Sequence, residues 1–227
     1  MSQRFTNVII LFLFSLLSTG AYAQYNYGAF NYYTLGVKAG YDIYSYSFDE
    51  TQQMTYEVQP NFNFGVSGGL YLSYLLELHA DFRYSIRNFN LKWDFPQDPT
   101  GQVPALSEYK MSYISVPVQL RLNAIYLKWV KLNIGVGLMP DFRLRPQETV
   151  TYQNGSTSES NKTYLTKNFA PVLIAVPMSA NLKINFSRHI AIEFSGNYYY
   201  YLNKMHTDFM TANGTAIGFN AGFFYDW

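Results

Sequence analysis

The chain of 227 residues contains no cysteine. Disulfide staples, thiolate metal sites and thiol nucleophiles are therefore excluded. Charge is scarce. Asp, Glu, Lys and Arg make up 14% of the residues, against about a quarter in soluble domains. The net charge is +1, so the basic stripe of a nucleic-acid binder is missing and no nucleic-acid partner is expected. No phosphate loop or dinucleotide fingerprint follows a strand, and no two histidines stand at metal-ligand spacing. Neither a cofactor nor a metal is expected. Long apolar runs are missing as well, with one exception, so a bundle of membrane helices is not expected.

The exception is VIILFLFSLL (8–17), preceded by Arg4 and followed by Ala21-Tyr22-Ala23. A positive start, a short apolar core and a small-x-small site form a secretory signal. Cleavage is expected after Ala23, leaving one mature domain over 24–227. Export without cysteine demands a fold that is stable without staples.

Aromatics are abundant, with 22 Tyr and 18 Phe, and they favour strands. In ELHADFRYSIR (77–87), Glu77, His79, Asp81, Arg83, Ser85 and Arg87 alternate with Leu78, Ala80, Phe82, Tyr84 and Ile86. That is a strand with one wet and one greasy face. Seven more runs share the pattern: 35–43, 62–72, 113–122, 130–143, 172–184, 190–200 and 217–227. Connections near 73–75, 124–128 and 187–188 are short. Those near 45–60, 94–109, 146–167 and 203–213 are long and polar. Eight strands with alternating short turns and long loops describe an all-β, antiparallel, up-and-down transmembrane β-barrel. Both chain ends fall on the short-turn side.

Periodicity does not say which face points inward, but three observations do. The greasy face carries about forty mostly large side chains, while a packed eight-stranded barrel interior holds about a dozen. The polar face is rich in Gly, Asn and Ser, and its charges nearly balance, as buried charges must. Its cations are Lys38, Arg83, Arg87, Arg121, Lys131, Arg143, Arg145 and Lys183; its anions are Asp42, Glu77, Asp81, Asp141, Glu193 and Asp226. Together with His79, these are expected to form a hydrogen-bonded network filling the lumen. Finally, Tyr84, Tyr198, Tyr200, Tyr225 and Trp227 lie on the greasy face near strand ends, where interfacial girdles sit. Phe223, Tyr225 and Trp227 form an aromatic-terminated last strand. It looks like the signal read by the outer-membrane barrel assembly machinery, an expected partner during biogenesis.

GVKAG (36–40), YISVPVQLR (113–121) and the terminal FFYDW (223–227) resemble the PorT-like outer-membrane β-barrel family, found largely in Bacteroidota. The likeness spans the mature chain as a pattern of strands. It implies an eight-stranded barrel in the outer membrane, in contact with its lipids. One branch of that family works with type IX secretion and gliding machinery.

Chemistry has few candidates. His79, Asp81 and Ser85 share a face, but His79 and Ser85 stand about 20 Å apart along an extended strand. They read as parts of the lumen network rather than a catalytic triad. His189 sits by a short turn and His206 in a loop. Asn154, Asn161 and Asn213 begin Asn-x-Ser/Thr triplets in polar stretches, and GVSGGL (65–70) reads as close backbone approach. The expected function is non-enzymatic: a scaffold or accessory subunit of a secretion or uptake complex. Its partners would meet loops 45–60 and 146–167, through Phe48, Met54, Tyr56, Tyr152 and Tyr164. A small-solute channel and a barrel enzyme at the membrane surface are the alternatives.

Overall fold

The computed structural model describes residues 33–46, 54–59, 61–96, 100–144, 146–160, 169–206 and 214–227. The expected signal segment lies outside them. Twelve strands occur in chain order: β1 (Tyr33–Ser45), β2 (Met54–Val58), β3 (Asn61–Tyr71), β4 (Leu76–Trp93), β5 (Pro104–Ser115), β6 (Val118–Tyr126), β7 (Val130–Arg143), β8 (Gln147–Tyr152), β9 (Thr157–Ser160), β10 (Val172–Asn185), β11 (Ile190–Tyr201) and β12 (Thr215–Asp226). All pairings are antiparallel. β1 pairs with β3, β3 with β4, β4 with β5 and β6, these with β7, β7 with β10, β10 with β11, and β11 with β12. β12 returns to β1, in register from Thr34 opposite Asp226 to Ser45 opposite Thr215. The sheet closes on itself.

β5 and β6 together form one of the eight staves. Pro117 interrupts the stave because it has no N–H to donate. The ladder survives the interruption: the Val116 amide donates to the Pro140 carbonyl at 3.0 Å, and the Asp81 amide to the Pro117 carbonyl at 3.0 Å. Alternation also survives, since Tyr113, Ser115, Gln119 and Arg121 are all buried.

The inward face is polar and the outward face greasy. Leu35, Val37, Phe64, Val66, Leu78, Phe82, Val118, Leu120, Val136, Leu138, Phe194, Phe219 and Phe223 are exposed on the wall. On β4 the apolar outward positions run from Leu76 to Ile86. Ten residue steps of about 3.4 Å, tilted about 40°, rise about 26 Å, and a barrel's lipid-facing band is about 25 Å tall.

Three tight turns close one end. Leu72, Leu127 and Phe186 donate their amides to the carbonyls of Leu76, Val130 and Ile190, each at 2.9 Å. The hydroxyls of Ser73 and Ser187 accept from the turn amides that follow them. That local bonding is the reason serine suits such turns.

The long connections correct the sequence expectation in part. The stretches 45–60, 94–109 and 146–167 are not loops throughout. β2 lies in the first and pairs with the outer end of β4. β5 begins at Pro104 rather than near 113, inside the second. β8 and β9 form a hairpin in the third, with β8 on the outer end of β5. On the arc of β4 and β5, the wall thus continues beyond the apolar band.

Candidate functional site: the lumen and its outer cap

The lumen is built in tiers from inward positions of alternating strands. At the short-turn end, Asp226 accepts from Lys183 at 2.5 Å and faces Lys131 at 3.6 Å. Lys183 also donates to the Thr34 hydroxyl at 3.0 Å. The Lys131 ammonium stands 4.6 Å from the rings of both Tyr71 and Tyr126.

In the middle tier, Glu193 meets Lys38 at 2.7 Å and Arg121 at 3.3 Å, and Arg121 also reaches Glu77 at 3.7 Å. The His79 ring spans Glu77 at 2.8 Å and Asp81 at 2.9 Å. Asp81 faces Arg83 at 3.8 Å and Lys38 at 3.9 Å, and Arg83 donates to the Tyr199 hydroxyl at 3.0 Å.

Above these, Asn63 donates to Asp42 at 2.7 Å. Arg87 is paired with Asp141, which also accepts from the Tyr201 hydroxyl at 3.2 Å. The Arg87 guanidinium is enclosed by the rings of Tyr113, Tyr44 and Tyr201, at 4.1, 4.7 and 5.3 Å. Among the described residues, Lys38, Arg83, Arg87, Arg121, Lys131 and Lys183 are buried against Asp42, Glu77, Asp81, Asp141, Glu193 and Asp226. Six cations face six anions across these tiers, and a seventh buried carboxylate, Glu148, lies beyond them.

Glycine makes room for this network. A Cβ on Gly69 would lie 2.4 Å from Glu77 Oε1 and 2.6 Å from Thr34 Cγ2. Gly69→Val is therefore expected to destabilise the refolded barrel by about 1–3 kcal/mol through overpacking, read as a lower urea midpoint. An unchanged midpoint would mean that the neighbouring side chains yield freely.

The outer mouth is closed by an aromatic cap. Phe89 stacks on Tyr109 at 4.8 Å, and Phe169 packs on both at 6.2 and 5.6 Å. Tyr46, Tyr56, Leu91, Met111, Leu173 and Met205 complete it. Glu148 is fully buried there and accepts from the Tyr109 hydroxyl at 2.8 Å. Burial and then the Glu148 carboxylate push the Tyr109 hydroxyl well above its ordinary range, so it stays a donor.

Sequence reasoning missed the cap, although a signal was present. Along β4 the inward residues are polar or charged from Glu77 to Arg87, then Phe89 and Leu91. The outward ones are mostly apolar to Ile86, then Asn88, Asn90 and Lys92. The pattern inverts where the wall leaves the lipid and its outer face meets water.

Lys38, Glu77, His79, Asp81, Arg83, Arg87, Arg121, Lys131, Asp141, Lys183 and Glu193 all lie buried in the lumen. Arg143 differs from expectation: it is half-buried at the mouth, its guanidinium 5.9 Å from the Phe169 ring. Arg145 is outside the described residues. Ser85 shares a hydrogen bond with Ser115 at 3.1 Å, on a different tier from His79. His206 is not a loop side chain; it is buried edge-on to Phe169 at 4.6 Å. Tyr56 likewise packs into the cap, against Tyr46 and Phe89, and Tyr152 is half-buried. Phe48, Tyr164, Asn161 and Asn213 lie outside the described residues. Asn154 accepts from the Ser156 amide in the β8–β9 turn. Phe223, Tyr225 and Trp227 point outward at the closing seam, where Trp227 exchanges backbone hydrogen bonds with Tyr33 at 3.1 Å.

Comparison with known proteins agrees with this architecture. Residues 22–207 match the model of the outer membrane protein beta-barrel domain family. Outer membrane protein OprG from Pseudomonas aeruginosa shares the fold: TM-score 0.51 at 8% identity, covering 87% of this chain and 97% of that one. Neisserial surface protein A is also similar (TM-score 0.48, 14% identity, 86% and 97% covered). So is the attachment invasion locus protein Ail of Yersinia pestis, solved with the heparin analogue sucrose octasulfate (0.46, 12%, 86% and 99%). No match is found among curated proteins. The family match covers most of the chain, the closed sheet has a lipid-facing band, and the chain belongs to the outer-membrane protein β-barrel domain family, with the cell outer membrane as its place.

Proposed function

We propose that this barrel is a non-conducting, non-enzymatic frame that holds a protein partner at the cell surface, as an accessory subunit of a secretion or uptake complex. The carrying observation is the filling of the lumen. Below, paired charges are buried from wall to wall. Above, the rings of Phe89, Tyr109 and Phe169 pack against one another. Eight strands leave an interior that side chains can fill, whereas aqueous porins use about sixteen to eighteen. The burial of His79 between Glu77 and Asp81 speaks against its use as a general base, since both ring nitrogens are already engaged. The resemblance to PorT-like barrels is compatible with a secretion partner, and no motif in the chain selects that over an uptake partner.

The surface left for recognition is the raised arc of β2, β8, β9 and the outer ends of β4 and β5. Two measurements test the reading together. Planar-bilayer recordings of the refolded protein should show no stable large conductance. Affinity purification of the native protein in mild detergent should enrich a defined protein, and replacing 153–156 by a shorter turn should release it. A reproducible open channel would favour solute transport instead. Recovery of the chain alone would leave the partner role without support.

A further inference from the structure

We propose that the lipid-facing wall carries a site for one hydrocarbon chain of a membrane lipid, seated across the β1–β12 seam. A recess of about 720 Å³ opens there. Strand register explains it. One row of outward residues runs Phe194, Ala221, Ala39, Phe64 and Tyr84, each opposite the next on the neighbouring strand. The two alanines meet across the seam and form the floor. Phe194 and Phe64 stand exposed on either side of them. The next row toward the short turns places the shorter Val37 and Val66 between the exposed rings of Phe223 and Phe82. Small side chains between rings leave the hollow.

The position of the recess names its occupant. On β1 the outward residues Leu35, Val37, Ala39, Tyr41 and Ile43 cross the apolar band, and Ala39 is the middle one. Headgroups therefore lie about half a band away, roughly 12 Å, and hydrocarbon is what meets the floor. The lining offers nothing to a polar ligand. Its two polar side chains are engaged elsewhere: the Lys38 ammonium meets Glu193 in the lumen at 2.7 Å, and the Tyr84 hydroxyl shares a hydrogen bond with Ser112 at 2.6 Å. An α-helix with its side chains is about 10–12 Å across and would rest on the rings. A second barrel is convex, so it would touch the rings and leave the floor bare. A flexible alkyl chain is thin enough to reach the alanines. Its gain is dispersion, since hydrocarbon also surrounds it away from the protein. In the recess the chain meets carbon on the floor and on both sides, where a flat wall offers one side. A chain that stayed out would leave the lining without contacts on that side. Seated there, it packs on both strands whose pairing closes the barrel.

Photo-crosslinking in vesicles tests the site. The folded barrel is reconstituted in phosphatidylcholine that contains a trace of the same lipid with a diazirine at the end of one acyl chain. Labelled peptides are then mapped by mass spectrometry. Adducts should concentrate on 37–39, 64–66 and 221–223, about fivefold over outward residues of equal height on β7 and β10, the ratio that about ten added carbon contacts imply. Ala39→Leu with Ala221→Leu fills the floor and should make labelling even around the wall. Ala80→Leu, outward on β4 opposite Gly68 and outside the recess, should leave the enrichment in place. Exchanging the choline headgroup for glycerol should also leave it in place, because the site reads the chain. Heat-modifiable migration confirms that each variant is folded. Even labelling before substitution, enrichment that survives the double substitution, or enrichment that follows the headgroup would overturn the proposal. So would labelling of the recess that falls as the protein-to-lipid ratio rises, which would put a second copy there.

Discussion

Replacing Arg87 by Leu is expected to destabilise the barrel by about 3–5 kcal/mol, the usual cost of stranding one member of a buried ion pair. Arg87 is 1% exposed and Asp141 0%. Among the described residues, Asp141 has no other ion-pair partner within 4.0 Å. After the substitution, only the Tyr201 hydroxyl would remain to serve the carboxylate. The three rings around the guanidinium would also lose their cation. The double variant Arg87→Leu/Asp141→Leu removes both charges and should recover most of the loss, because the desolvation cost then disappears with the pairing. Urea unfolding of refolded protein in detergent, followed by tyrosine fluorescence and gel migration, gives the comparison. A single variant as stable as the parent would mean that water reaches Asp141 and the upper lumen is not sealed.

The second large effect concerns the opposite face. Leu120 points outward at mid-height, 48% exposed, opposite Leu78 on β4 and Val136 on β7. In a soluble protein an exposed leucine tolerates arginine almost without cost. In a bilayer the same change at the midplane costs about 2–4 kcal/mol, falling to about 0–1 near the interface. Leu120→Arg should therefore destabilise the vesicle-inserted barrel strongly. Ser112→Arg, on the same stave opposite Ile86 at the upper edge of the band, should cost only about 0–1 kcal/mol beyond the loss of its 2.6 Å bond to the Tyr84 hydroxyl. Equal tolerance at both positions would contradict the lipid-facing assignment.

Much of this architecture was legible because a strand repeats every two residues. The run from Glu77 to Arg87 already separates the two faces, and eight such runs with alternating connections describe a closed barrel. The lumen residues were legible for the same reason: any charge in phase with Glu77 had to share its side. Three things were not legible, each for a physical reason. Pairing partners depend on register between distant strands, so Arg121 and Glu193, 72 positions apart, could be assigned to one interior but not to each other. β8 reads QETVTY, with polar residues on both faces, because above the membrane the outward face meets water, and β2 alternates over only five residues, MTYEV. The cap was hidden by the assumption that one face stays polar throughout, whereas Phe89 and Leu91 continue the inward phase of Arg87 with opposite chemistry.

The paired lumen also has a kinetic side. Some of its bonds join distant parts of the chain: Lys183 to Thr34 across 149 positions, and Arg83 to Tyr199 across 116. None of these contacts can form in a nascent hairpin, and contacts of such high separation are reached late. Until β1 meets β12, Lys38 on β1 is kept from its 2.7 Å partner Glu193 on β11, and an unpaired ion stays hydrated. The unclosed sheet is therefore a wet-faced intermediate whose apolar side already suits lipid. Expulsion of that water belongs to the moment of seam closure, which makes insertion and drying a single cooperative step rather than a gradual one.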